Sequence, residues 1–390
     1  MKKILIFLLI VASCKDRQPV PVAPLVAHAD SSHVDSPTDW ALIPFTKVDS
    51  VNPVLTPGGS TFFDPLQREP VKWEEKDVFN PAIVVKKGKL YMLYRAQDKI
   101  GRPAGTSRIG LAVSDDGYHF IRRPVPVLYP AEDTEKKLEW EGGCEDPRIV
   151  QDERGVYYMT YTAFDGQTAR LLVATSRDLV NWTKHGSAFA DAYNGKYSRS
   201  WSKSGSIVSR YLGGKIVATK INGKYWMYWG DKDIWAATSD DLIHWTPVEM
   251  GSDAGAPARA GSALKIVVGT RSGHWDSDLV ESGPPAMITQ KGILLIYNGK
   301  NRLADGDSSL PEGMYGGGQV LLDIHDPTKI LRRLDHDFIH PDKPYEITGQ
   351  VDQVCFLEGL ADFKGRWLLY YGTADSRIAV AVGPDKPIAW

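Results

Sequence analysis

The sequence predicts an all-β protein, a five-bladed β-propeller, and three observations carry that prediction: an aromatic and turn-rich composition, a strand–turn–strand unit that recurs five times, and no helical period between the units. The chain of 390 residues holds 12 Trp, 17 Tyr, 36 Gly and 25 Pro, which fits many short aromatic strands broken by turns and does not fit a helical bundle. The first unit reads "NPAIVVKKGKLYMLYRAQD" followed by "SRIGLAVSDDGYHF", and the second "DPRIVQDERGVYYMTYTAFD" followed by "ARLLVATSRDLVNW". A third runs from "KSGSIV" through "GKYWMYWGD" to "DIWAATSDDLIHW". A fourth runs from "ESGPPAMITQKGILLIYNGKN" through "GGQVLLDIHDP", and a fifth from "QVDQVCFLEGLADFKGRWLLYYGTAD" into "SRIAVAVG". Single units cannot bury both faces of their sheets, so they are expected to pack radially around a channel. The recurring "SDDGYHF", "SRDLVNW" and "SDDLIHW" segments read as turn chemistry, because three copies of one motif serve packing better than a single site.

Composition narrows the function classes. With 43% hydrophobic and 24% charged residues, and a formal net charge of -2, the chain can bury a sizeable core and offers no basic run for nucleic acid or an anionic membrane surface. No His-rich or Cys-rich metal spacing and no cofactor motif stands out. The first residues, "MKKILIFLLIVASCKD", place two lysines before an apolar stretch too short for a comfortable membrane span, the pattern of an export signal. Its end, "VASC", resembles a bacterial lipobox. Residues 1–14 are therefore expected to be a lipoprotein signal, with Cys14 as the lipid anchor. Residues 15–39, rich in Pro, Ala and Ser, are expected to be a flexible tether, and 40–390 the propeller. The expected location is an exported protein held to a bacterial membrane by that anchor alone. Cys144 and Cys355 are too few for a disulfide framework and are expected to be buried free thiols.

Radial closure gives the residues ahead of each inner strand a common destination. They are Asn80, Glu145 with Asp146, Lys203 with Ser204, Glu281, and Asp352 with Gln353; the ends of the second strands add Arg95, Asp165, Asp231, Asn301 and Asp375. Such a ring of acids, amides and cations suits a polyol held by many hydrogen bonds, with carboxylates for proton chemistry. Tyr225, Trp226 and Trp229 are candidates for a face on which a sugar stacks.

At this point the motifs "NPAIVVKKGKLYMLYRA", "CEDPRIV", "SKSGSIV" with "GKYWMYWGD", "DSDLVESGPPAMITQKGILLIYNG" and "YYGTAD" resemble glycoside hydrolase family 130, the β-mannoside phosphorylases and β-1,2-mannosidases built on a five-bladed propeller. The resemblance implies a β-mannoside substrate and an inverting mechanism. It makes Asp146 the catalytic acid, acting through a hydroxyl of the mannose ring, and gives sugar-binding roles to Asn80, Arg95, Asp375 and, on a weaker match, Asp116. Lys203 matches a lysine of the phosphate-binding set in the phosphorylases. Where those enzymes carry a His-Arg pair, this chain has Trp229 and Gly230, followed by Asp231, and "VESGPP" places Glu281 where they lack an acid. Glu281 is thus expected to activate water, giving hydrolysis, with Asp231 or Glu145 as the second acid serving that water. A phosphorylase releasing mannose 1-phosphate, with inorganic phosphate as co-substrate, is the rival reading. A non-catalytic carbohydrate-binding propeller and a furanoside-cleaving propeller are more distant ones. Glu145 and Arg148 are also candidates for a simple ion pair.

Overall fold

A computed structural model describes residues 38–102, 104–212, 214–251 and 263–385. The proposed signal, Cys14 and the tether up to residue 37 lie outside the described residues. What is described is almost wholly β, with two four-residue helices, Lys136–Glu139 and Pro344–Ile347.

Antiparallel meanders repeat along the chain. The first unit pairs Asp77–Lys86 with Lys89–Gln97, then Ser107–Ser114 and Ile121–Arg122. The second repeats the order with Gly143–Gln151, Tyr157–Phe164, Ala169–Ser176 and Thr183–Ser187. In the third, Ser206–Ile207, Tyr225–Trp229, Ile234–Ser239 and Trp245–Pro247 follow one another. A hairpin of Ser209–Leu212 and Lys215–Ala218 is inserted there and touches the second and fourth units through parallel pairs. The fourth sets Leu279–Ser282 and Met287–Thr289 against Gly292–Lys300, then Tyr315–Leu322 and Ile330–Arg333. The last joins Cys355–Phe363, Arg366–Thr373 and Arg377–Val382 to Thr46–Lys47, from the opposite end of the chain. Inner strands are buried on both faces, as in Gly143–Gln151, where every residue is buried. Their sequences therefore run apolar without alternation. The apolar clusters are each shared by neighbours. Ala82 and Leu93 of the first unit pack with Met159 and Leu172 of the second, and Ile83 and Leu90 pack with Leu368 and Val380 of the last.

Two devices recur from unit to unit. In the outer turns Asp116 accepts the backbone N–H groups of Tyr118 and His119, as Asp178 does for Val180 and Asn181 and Asp241 for Ile243 and His244. These are Asx turns, and they correct the sugar-binding role expected of Asp116: its half-exposed side chain is spent on its own loop and on His119. The second device has no sequence motif. A tyrosine hydroxyl near the end of the second strand donates to a buried carboxylate that also meets a cation. Tyr94 meets Glu74 with Arg122, Tyr161 meets Glu139 with Lys184, Tyr297 meets Asp276 with Arg333, and Tyr371 meets Glu346 with Lys47. Cys144 and Cys355 are buried free thiols, as expected, and burial raises both well above the usual thiol range.

Candidate active site

A pocket of about 120 Å³ is lined by Asn80, Arg95, Asp146, Lys203, Glu281, Tyr315, Val351, Val354, Phe356 and Asp375. Two of its polar residues, Asn80 and Asp146, come from bulges. The ladder of the first unit slips between Phe79 and Pro81, leaving Asn80 unpaired, and that of the second slips between Glu145 and Arg148 around Asp146. A bulge bends a strand and re-aims the extra side chain. Asn80, Asp146 and Asp375 all take left-handed backbone angles, with φ of 48°, 49° and 49°. Asn and Asp tolerate that region better than other side chains, so the residue types that suit sugar chemistry are also those the backbone admits.

Around Asp146 the contacts are dense. Its Oδ1 accepts Nδ2 of Asn80 at 2.9 Å and Nη1 of Arg95 at 3.1 Å, while Oδ2 lies 3.8 Å from Nζ of Lys203. Arg95 also donates through Nη2 to Glu145 at 2.6 Å and through Nε to Ser107 at 3.0 Å, with its guanidinium over the Phe79 ring. Glu145 is therefore paired with Arg95 and not with Arg148, which corrects the ion pair considered from the sequence. Glu281 accepts the hydroxyl of Ser204, and Asp231 accepts the indole N–H of Trp201 at 2.7 Å.

Electrostatics separate the two candidate catalytic carboxyls. Burial works against charge on Asp146, but Arg95, Lys203 and Asn80 outweigh it and hold the group down at about 2. Burial dominates at Glu281 and, with Asp231 nearby, pushes it up to about 7 in spite of Lys203. Burial likewise lifts Asp375 to about 6. Lys203 loses to desolvation but gains more from Glu281, Asp146, Glu145 and Asp231, so it stays charged. Near neutral pH the unliganded site holds an ionised Asp146 and a Glu281 that shares a proton with solvent, an asymmetry typical of acid–base sites.

Several expected residues lie elsewhere. Asn301 ties its own loop to the carbonyls of Asp307, Leu310 and Pro311, and Asp165 pairs with Arg170. Asp352 is spent on the N–H of Gly349; Val351, Val354 and Phe356 line the pocket beside it. Trp229 packs between Phe189 and Trp235, fully buried, and Trp226 packs in the core with its N–H on Ile221. These two are structural, which corrects the stacking role considered for them, and Tyr225, half-buried under Lys220, is absent from the pocket lining. The aromatic groups in the wall are instead Tyr315 and Phe356; Trp201, 48% exposed, lies outside the lining, in edge contact with Phe164 and held by Asp231. Sequence reading missed Trp201 because it stands alone in a loop.

An all-β scaffold that brings paired carboxyls, cations and an amide from several units into one small polar pocket has the construction of a glycan-processing enzyme. The chain belongs to glycoside hydrolase family 130: residues 49–389 match the family described as β-1,4-mannooligosaccharide phosphorylase. It is 34% identical over 325 residues to a 1,2-β-oligomannan phosphorylase of Thermoanaerobacter sp. X514, covering 81% of this chain and 93% of that one. It is 48% identical, with a TM-score of 0.83, to a structure described as a glycosidase from Bacteroides thetaiotaomicron, over 88% of this chain and 97% of the other. A third similarity, 47% identity and a TM-score of 0.84 over 90% and 97%, is to a structure from work on members of the family that hydrolyse β-1,2 mannosidic linkages in Candida mannan.

Proposed function

We propose that this protein is an exported, inverting glycoside hydrolase that cleaves β-1,2-linked manno-oligosaccharides, with Asp146 and Glu281 as its acid–base pair on a five-bladed propeller. Closure into five blades is supported by the apolar clusters, which link each unit to the next and the last back to the first. The observation that carries hydrolysis over phosphorolysis is the state of the pocket's cations. Among the described residues lining it these are Arg95 and Lys203. Arg95 is committed to Glu145 and Asp146, and Lys203 is surrounded by four carboxyls. A phosphate dianion needs cations whose donors are free, and here it would meet repulsion. The similar structures described as hydrolases favour the same reading; the curated phosphorylase relatives keep the rival in view.

In an inverting hydrolase one carboxyl protonates the leaving oxygen and the other takes a proton from water on the opposite face of the sugar. With Asp146 as acid, a proton has to pass to it on substrate binding, because Arg95, Lys203 and Asn80 hold it ionised while burial makes Glu281 the more basic of the two. The order of proton affinities favours a second reading with the roles exchanged, Glu281 giving the proton and Asp146 receiving it. Asn80, Arg95 and Asp375 would hold the mannose being transferred, and Trp201, its indole fixed by Asp231, offers the leaving sugar a stacking face. The signal-like first residues support export, with Cys14 as the anchor; retention of a Cys14→Ser variant in the membrane fraction would refute the anchor.

The deciding experiment is incubation of the soluble chain with β-1,2-mannobiose, with and without phosphate. Equal release of free mannose in both is expected. Mannose 1-phosphate formed only with phosphate would overturn hydrolysis.

A further inference from the structure

Arg148 is absent from the pocket lining, yet it reaches the backbone beside both reacting carboxyls. It follows the bulge that carries Asp146, and its Nη1 donates to the carbonyl of Asp146 itself at 3.3 Å. Across the interior, Nε donates to the carbonyl of Gly283 at 2.8 Å and Nη2 to that of Ser282 at 2.7 Å, the two residues after Glu281. One guanidinium thus joins the second unit to the fourth. A third strand contributes Glu358, which stands where the last unit's ladder slips between Leu357 and Gly359. It is wholly buried, and its carboxylate lies 3.6 Å from Nη2 of Arg148. Neither of its oxygens accepts a hydrogen bond.

We propose that Arg148, braced by Glu358, is a positioning residue that fixes the separation and aim of Asp146 and Glu281. A guanidinium presents donors in a rigid planar fork, so three carbonyls from two strands can be held at fixed angles; an ammonium gives a point charge without that fork. A buried carboxyl whose oxygens accept no hydrogen bond costs stability even beside a cation, so stability alone does not account for Glu358 beside Arg148. The identity of the two positioned carboxyls rests on the proposed function; the bridge between their backbones does not.

The test is steady-state kinetics of Arg148→Lys and Arg148→Ala in the full chain. Arg148→Lys is expected to lose about 100-fold in kcat with KM within about three-fold of wild type, the signature of misaligned rather than missing groups. Added guanidinium ion is expected to restore about ten-fold of the loss in Arg148→Ala. Loss of activity that only follows loss of folded protein, or a raised KM at unchanged kcat, would overturn the proposal. If neither variant folds, Glu358→Gln decides, since it keeps the volume and removes the charge: a kcat about ten-fold lower at unchanged KM supports the brace, and an unchanged kcat refutes it. All assays run with and without phosphate, so a phosphate requirement in the wild type would sink hydrolysis while the variant-to-wild-type ratio still judges the brace.

Discussion

Glu139 and Glu281 are both buried glutamates near a lysine, and they are built to opposite ends. Glu139 has its oxygens assigned, one to the Tyr161 hydroxyl at 2.8 Å and the other to Lys184 at 2.6 Å. Lys184 is in turn saturated by Asp133 and the carbonyl of Tyr129. Glu346 repeats the arrangement with Tyr371, Lys47 and the N–H groups of Asp342 and Lys343. Glu281 has one hydroxyl donor, Ser204, and its lysine is shared with Asp146, Glu145 and Asp231. At Glu139 and Glu346 both carboxylate oxygens find donors; around Glu281 charges are crowded and a proton is left to move.

Substitutions can break or sharpen this contrast. Glu281→Gln is expected to lower kcat by about 10³-fold or more. Azide rescue giving a glycosyl azide would mark Glu281 as the base, whereas activity retained on aryl mannosides with good leaving groups would mark it as the acid. Glu139→Ala leaves the buried Tyr161 hydroxyl without its acceptor and takes one of three partners from Lys184; it is expected to cost about 1–3 kcal/mol in denaturant unfolding, with KM and kcat of the remaining folded protein unaltered. The sign reverses for stability at the site. Glu281 is raised to about 7 when folded, so its contribution is present below its unfolded value near 4.5 and is lost as pH rises through 7. Relative to wild type, Glu281→Gln should therefore gain stability between pH 4.5 and pH 8, by up to roughly 3 kcal/mol; a loss that grows with pH would contradict the shift. Trp201→Ala is expected to raise KM for mannobiose about five-fold. Smallest of all, Asp116→Ala should cost about 1 kcal/mol of stability and leave the kinetics alone; a raised KM would return Asp116 to the site.

Much of this was legible in the sequence because it is local. The repeat, the strand order and the Asx turns depend on residues a few positions apart, so "SDDGYHF" and "SDDLIHW" announce their hydrogen bonds directly. Asn80, Arg95, Asp146, Lys203, Glu281 and Asp375 were legible as pocket residues because they lead or end strands in repeating positions. Ladder slips were not. Asp352 and Gln353 match the position ahead of an inner strand, but Asp352 is held by the N–H of Gly349 and the backbone of Gln353 by Ile347 and Tyr315, and Glu358 hides inside the apolar run "VCFLEGLADF". The tyrosine–carboxylate–cation clusters escaped notice for a related reason: each draws its cation from the outermost strand of its unit, tens of residues from the acid and, for Lys47 and Glu346, nearly the whole described chain away.

That last pairing sets a timetable for synthesis. Thr46 and Lys47 emerge from the ribosome long before their partners Ala381 and Val382. At about 5–20 residues per second the early strand waits on the order of a minute or less with no partner. Until it docks, Glu346 lacks the ammonium that meets it, so the last unit's sheet is complete only once these two distant segments have met.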